Sequence, residues 1–257
     1  MLSTQEALRP GAPKPDLILW PEVPAPIYYE SDSAFREQVH QLAQLTGAYF
    51  LFGTVAHTRD GLPLNSAVMV APEGRLIDRY DKIFLVPFGE FVPSLFSFVN
   101  KISSEAGDFA PGSRIVVFPV GSHQVATFIC YESAFPHLVR QFAGHGAQLL
   151  VNLSNDGYFG DRAAREQHLR LVRMRAAENR RWVLRSTNNG ITASVDPAGR
   201  VREALPSWSE QVGRLSDSYV SSRTPYSMSG DWFAWGCLAL GLALVVVSQF
   251  PASRSRP

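Results

Sequence analysis

Apolar residues in this chain come in short runs separated by turn-forming clusters, and in two stretches they recur at helical spacing. Residues 16–20 (DLILW) form a brief apolar run stopped by Pro21 and predict a strand. Over residues 33–46, Phe35, Val39, Leu42 and Leu45 recur every three or four positions. That spacing predicts an amphipathic helix, with Ser31 or Asp32 as N-cap and Gly47 as its stop. AYFLFGTVA (48–56) and NSAVMVAP (65–72) predict two strands around the turn-forming HTRDGLPL, and PEGRLIDRY (72–80) adds a turn and another strand. IVVFPV (115–120) and QVATFICY (124–131) read as two more strands, divided at Gly121 and Ser122.

Beyond them, SAFPHLVRQFAGHGA (133–147) predicts a helix closing at Gly144 or Gly146. AQLLVNLS (147–154) is apolar enough for a strand buried on both faces. Residues 161–180 predict the longest helix, with Leu169, Val172 and Ala176 on one face, and 182–201 close with two strands around the turns NNG and DPAG. Strands alternate with helices but also come in hairpin-like pairs, which predicts an α/β fold with mixed sheets packed by helices.

The uncharged run 232–250, WFAWGCLALGLALVVVSQF, breaks this pattern, being apolar on every side. Nineteen residues at ~1.5 Å rise reach roughly 29 Å, so a membrane helix is expected over 231–251. Asp231 precedes it, and Arg254 and Arg256 follow in the tail 252–257, which places that tail in the cytoplasm and the bulk of the chain outside. Residues 1–16 hold no apolar run of the kind a secretory signal needs.

At 257 residues, 46% hydrophobic and with a formal net charge of +1, the chain can bury a large core and offers no basic surface for nucleic acid. Its two cysteines, Cys130 and Cys237, lie in segments expected in different media, so no disulfide is expected. No Cys and His cluster has metal-ligand spacing, and neither a metal nor a cofactor is expected.

Three functional groups lie just past apolar strands: Glu22 after LILWP, Lys82 in RYDKIFLVPFGE, and Cys130 at the end of VATFIC. Such strand ends are where the loops of an α/β sheet gather into a site. A thiol must lose its proton to become a nucleophile, a carboxylate can take it, and an ammonium can stabilise an oxyanion. Singly, each has a bland reading: a structural cysteine, a surface glutamate, a surface lysine. The histidines His123, His137, His145 and His168 lack the setting of a cysteine-protease partner. FVPSLFSFV (91–99), with Phe91, Leu95, Phe96 and Phe98, reads either as a core segment or as an arm that dips into lipid beside the site.

In this order, WPE (20–22), DKIFLVPFGE (81–90), CYES (130–133) and SNDGYFG (154–160) resemble the Glu–Lys–Cys signature of the nitrilase superfamily. They are most similar to its apolipoprotein N-acyltransferase branch, as are MRAAENRR (174–181) and RSTNNGITASVDPAGR (185–200). The resemblance implies a nitrilase-like α-β-β-α sandwich over residues 1–226, with Glu22 as general base, Lys82 as oxyanion stabiliser and Cys130 as nucleophile. Glu90, Tyr131 and Glu132 match supporting positions: Glu90 for the thiol or lysine, and Tyr131 and Glu132 for the elbow around Cys130. It further implies a phospholipid acyl donor, a diacylglyceryl-cysteine lipoprotein acceptor, and a bacterial inner membrane with the catalytic domain on its external face. Two other readings remain: a carbon–nitrogen hydrolase that uses water, and a catalytically inactive membrane-anchored module. The pattern departs from the family at its start, because residue 16 already lies in what would be a later strand; an N-terminally incomplete domain lacking its first strand is expected.

Overall fold

The computed structural model describes residues 2–93, 108–159 and 162–249. It begins with a short helix, α1 (Leu2–Ala7), that no apolar periodicity announces. Tertiary bonds hold it: Trp20 Nε1 donates to Ser3 Oγ at 2.9 Å, and Arg214 Nε donates to Glu6 Oε1 at 2.9 Å. The smaller sheet follows, with β1 (Leu17–Leu19), β2 (Tyr49–His57), β3 (Pro63–Val70) and β4 (Leu76–Asp81) in that order. β1 runs parallel to β2, and the other two pairings are antiparallel. Between β1 and β2 lies α2 (Ser33–Thr46). Asp32 caps it by accepting from the Phe35 amide at 2.8 Å, and Gly47 ends it in the left-handed region, as the sequence predicts.

The larger sheet contains β5 (Phe118–Val120), β6 (His123–Ile129), β7 (Leu149–Ser154), β8 (Trp182–Thr187), β9 (Ala193–Val195) and β10 (Val201–Ala204), in the order β10-β9-β8-β7-β6-β5. Its centre, β6-β7-β8, is parallel and its flanks are antiparallel. The helices α3 (Pro136–Gly144) and α4 (Arg162–Asn179) make the crossovers that a parallel centre requires.

Period-two alternation sorts the smaller sheet into two faces. Phe50, Phe52, Val68 and Val70 pack with Val39 and Ala43 of α2. Leu51, Ala67, Met69 and Tyr80 join Val125, Phe128 and Leu150 of the larger sheet. Leu138 and Phe142 of α3 and Leu169 and Val172 of α4 extend that second core, and β7 is buried along its whole length. The layers are therefore helix, sheet, sheet, helix, and both sheets are mixed, as expected.

Three expectations need correction. Only residues 118–120 of the 115–120 run form a strand, at a sheet edge that tolerates Pro119, and residues 115–117 pack on the core without entering a ladder. The helix expected over 133–147 is preceded by a 3₁₀ turn, Cys130–Ala134, and Pro136 opens the α-helix proper. The expected membrane helix is not supported. After a short α5 (Pro225–Ser229), α6 (Trp232–Ser248) has 17 residues, about 25 Å of rise against a ~30 Å hydrocarbon core. Among the described residues no helix is long and apolar enough to cross a membrane. α6 buries none of its residues against the rest of the chain.

Candidate active site

Three loops carry the expected triad, and each holds a non-glycine residue in the left-handed region. β1 ends at Leu19 and Pro21 turns the chain, so Glu22 leaves the sheet edge with Val23 at φ 43°. Gly53 of β2 lies directly beneath: a Cβ there would stand 2.7 Å from Glu22 Cα and from the Val23 nitrogen. Lys82 follows the last residue of β4, and Phe88, at φ 61°, turns the chain toward Glu90. Cys130 follows the last residue of β6 at φ 49°, so the strand stops at Ile129, two residues before the end at Tyr131 read from the sequence. Such conformations cost on the order of 1–3 kcal/mol each and persist only where the surroundings over-determine them.

These loops bring Glu22, Lys82 and Glu90 into one cluster, with Glu22 and Lys82 buried and Glu90 partly so. Lys82 is 1% exposed; its Nζ donates to Glu90 Oε1 at 2.9 Å and lies 3.7 Å from Glu22 Oε1. Asn65 of β3 sits between the carboxylates, and its Nδ2 donates to Glu22 Oε1 at 2.7 Å and to Glu90 Oε1 at 2.6 Å. The other oxygens are held by backbone: the Asn155 amide donates to Glu22 Oε2 at 2.8 Å, and the Val86 amide to Glu90 Oε2 at 2.7 Å. Burial works against the charge of Lys82, but Glu22, the Cys130 sulfur and Glu90 outweigh it and hold its pKa above the ordinary lysine range. The ammonium is therefore a fixed positive charge.

Burial and the charge of Glu22 push the Cys130 thiol up to about 12, against the pull of Lys82, a contact with the Ser154 hydroxyl, and Arg185. At neutral pH Cys130 is therefore a thiol, with the Glu22 carboxylate among the charges acting on it. Glu132 is wholly buried under the elbow. Its Oε1 accepts from Tyr80 Oη at 2.7 Å and from the Ile83 and Phe84 amides at 2.7 and 3.2 Å, and its Oε2 from the Ile129 amide at 2.7 Å. Burial raises its carboxyl to about 7, with those donors acting in the opposite direction.

Tyr131 is 37% exposed, and its ring meets Phe135 edge-on at 5.1 Å. Phe91 is half-buried and its carbonyl accepts from the Phe88 amide at 2.7 Å. Leu95, Phe96 and Phe98 lie outside the described residues.

The sequence reading passed over a second group, below the thiol. Arg185 of β8, fully buried, donates through Nη2 to Asp156 Oδ1 and Oδ2 at 2.9 and 2.7 Å. Ser154 Oγ donates to Asp156 Oδ1 at 2.9 Å, and His168 of α4 places Nδ1 2.9 Å from the same oxygen and Nε2 2.9 Å from the Cys130 carbonyl. Desolvation works against the Asp156 charge, but His168 and Arg185 prevail and hold its carboxyl well below the usual range. Gly190 is required beside it, since a Cβ there would lie 1.9 Å from Asp156 Oδ2. The available signals were the SND of the quoted motif and a histidine on the polar-reading helix 161–180.

Among the described residues, no group of three or more His, Cys, Asp or Glu could hold a metal ion. A cleft of about 820 Å³ beside edge strand β1 is lined by Trp20, Pro21, Leu184, Asn189 and Trp208, but by none of Glu22, Lys82 and Cys130.

Residues 2–216 match the carbon–nitrogen hydrolase family. Apolipoprotein N-acyltransferase from Geobacter metallireducens is 38% identical over 240 residues, 91% of this chain and 46% of that protein. The protein of the same name from Vibrio vulnificus is 34% identical over 244 residues, 89% of this chain and 47% of that one. The chain thus spans about half the length of the curated relatives it matches. An amidase of the nitrilase superfamily from Nesterenkonia AN1 shares the fold, with a TM-score of 0.60, 21% identity, and coverage of 80% of this chain and 78% of that one.

Proposed function

The chain belongs to the carbon–nitrogen hydrolase family, and from that premise we propose that it catalyses apolipoprotein N-acylation. An acyl chain leaves the sn-1 position of a phospholipid, rests on Cys130 as a thioester, and passes to the N-terminal amine of a diacylglyceryl-cysteine in a bacterial lipoprotein. The reading rests on the meeting of Glu22, Lys82 and Glu90 around the strand end that carries Cys130, in a chain 38% and 34% identical to proteins of that name.

Each side chain has a distinct task. Glu22 takes the thiol proton as Sγ adds to the ester carbonyl, which a thiol pushed up to about 12 cannot do unaided. Lys82, already cationic, neutralises the oxyanion without reorganisation. As the tetrahedral intermediate collapses, the C–O bond breaks and the lysophospholipid oxygen takes the proton from Glu22. The amine then attacks the thioester, Glu22 receives the ammonium proton, and the thiol is restored as the amide forms. Glu90 and Asn65 fix Lys82 and Glu22 at their separation through both steps.

The proposed place of action is the external face of the bacterial inner membrane. An exposed apolar surface as large as that of α6 requires an apolar cover, and lipid supplies one. The test is incubation with phosphatidylethanolamine vesicles and a synthetic diacylglyceryl-cysteinyl peptide bearing a free amine. An amide-linked acyl peptide, absent with Cys130→Ala and with Glu22→Gln, is the expected product. Release of free fatty acid without acylated peptide would instead assign a hydrolase that uses water.

A further inference from the structure

His168 had no evident task in the sequence, yet its ring lies between Cys130 and the most deeply buried ion pair among the described residues, Arg185–Asp156. His168 is 6% exposed, and Asp156 and Arg185 are wholly buried. A carbonyl only accepts, so the 2.9 Å contact between Nε2 and the Cys130 oxygen is made by an Nε2 that carries its hydrogen. The ring is aimed from behind by the Asp156–Arg185 pair, Nδ1 lying 2.9 Å from Asp156 Oδ1 and 3.3 Å from Arg185 Nη2, and Ser154 holds Asp156 in turn. Arg185 is itself fixed, since its Nη1 donates to the Asn152 side chain and its Nε to the Ile191 carbonyl.

The bond matters because of where Cys130 sits. Its φ of 49° is unfavourable for any residue with a Cβ, and relaxing to negative φ would swing the Cα–Cβ direction and carry the sulfur with it. A grip on the carbonyl of the same residue resists that rotation. Glu132 secures the strand side by accepting from the Ile129 amide, one residue earlier, so His168 holds the far side of the same turn from a different helix.

We propose that His168 is a positioning residue for the Cys130 nucleophile: its Nε2–H, aimed by the Asp156–Arg185 pair, grips the Cys130 carbonyl and locks the residue in its left-handed conformation. The inference rests on Cys130 being the nucleophile, as in the proposed function, but not on the identity of the acyl donor. It assigns His168 a backbone contact rather than the thiol-deprotonating task of a protease histidine, which falls here to Glu22.

The two ring positions can be separated chemically. In His168→Gln the amide nitrogen takes the place of Nε2 and keeps a donor for the Cys130 carbonyl. In His168→Asn it takes the place of Nδ1, keeping the Asp156 contact and losing the carbonyl. Both are made in the full chain with Cys237→Ser, so that Cys130 is the only thiol, and are assayed with p-nitrophenyl butyrate. Sγ adds to the ester, the C–O bond breaks, and p-nitrophenolate appears as a burst. Burst amplitude counts folded, competent sites, whereas the rate constant at saturating ester reads how well the thiol is placed. For His168→Asn the rate constant is expected to fall about 10–100-fold, the scale set by a misplacement of roughly 1 Å, with amplitude and half-saturating concentration retained. His168→Gln is expected to recover most of the rate. Equal rates in His168→Asn and its parent, equal losses in the two variants, or a loss confined to amplitude would each overturn the proposal. A parent without a burst would overturn it together with the nucleophile assignment. A burst from the ester beside an inert phospholipid would remove only the lipid substrate.

Discussion

Cys130 presents a chemical tension within a single residue. Its sulfur is meant to attack, yet burial and Glu22 push its thiol up to about 12. The consequence can be measured without any substrate. In the Cys237→Ser chain, alkylation of Cys130 by iodoacetamide should quicken about tenfold per pH unit from pH 7 to 10, because the thiolate fraction grows by that factor below the pKa. A plateau near neutrality would mean a preformed thiolate and would contradict the assignment of Glu22 as its base. At this scale the sequence was informative about Glu22, Lys82 and Cys130, because a polar group ending an apolar run is conspicuous. Asn65 was invisible for the opposite reason: within NSAVMVAP it reads as one polar position of a strand, and its carboxylate partners lie 43 and 25 residues away. His168 lacks the setting of a protease histidine in the sequence, and its contact is with the Cys130 carbonyl, a backbone group that no side-chain pattern announces.

Between elements, Glu132 acts as a tie. One carboxylate joins Tyr80 on β4 and the amides of Ile83 and Phe84 just after it to Ile129 at the end of β6, so the lysine loop and the thiol elbow share an anchor. All four partners donate, and an amide in its place would turn an NH₂ group toward donors. Glu132→Gln should therefore lose roughly 2–4 kcal/mol of stability to urea, the cost of one or two buried donors left unpaired. A loss under about 1 kcal/mol would mean that the tie bears little. Elements with a strong period were legible: α2 and its caps, β2, β3 and β7 all lie where the apolar pattern places them. Those made by tertiary contact were not. α1 is held by Trp20 and Arg214 from distant segments, and the start of the 115–120 run packs on the core without a ladder.

On the scale of the whole molecule, two mixed sheets clamped between helices set several loops at adjoining strand ends, and the chemistry is assembled from β1, β3, β4, β6, β7, β8 and α4. Such a site cannot be read from any one segment, although its layers could be read from the alternation of strands and helices. The expected membrane helix shows the limit of that legibility: apolar composition alone extended it over 231–251, where the helix runs from Trp232 to Ser248. The central claim is that Cys130 carries an acyl group taken from a phospholipid, and intact-mass spectrometry after incubation with phosphatidylethanolamine vesicles tests it most directly. The account predicts one added acyl chain, removed by neutral hydroxylamine as a thioester must be, and absent in Cys130→Ala. No added mass on the wild-type chain, or an undiminished adduct in Cys130→Ala, would contradict it.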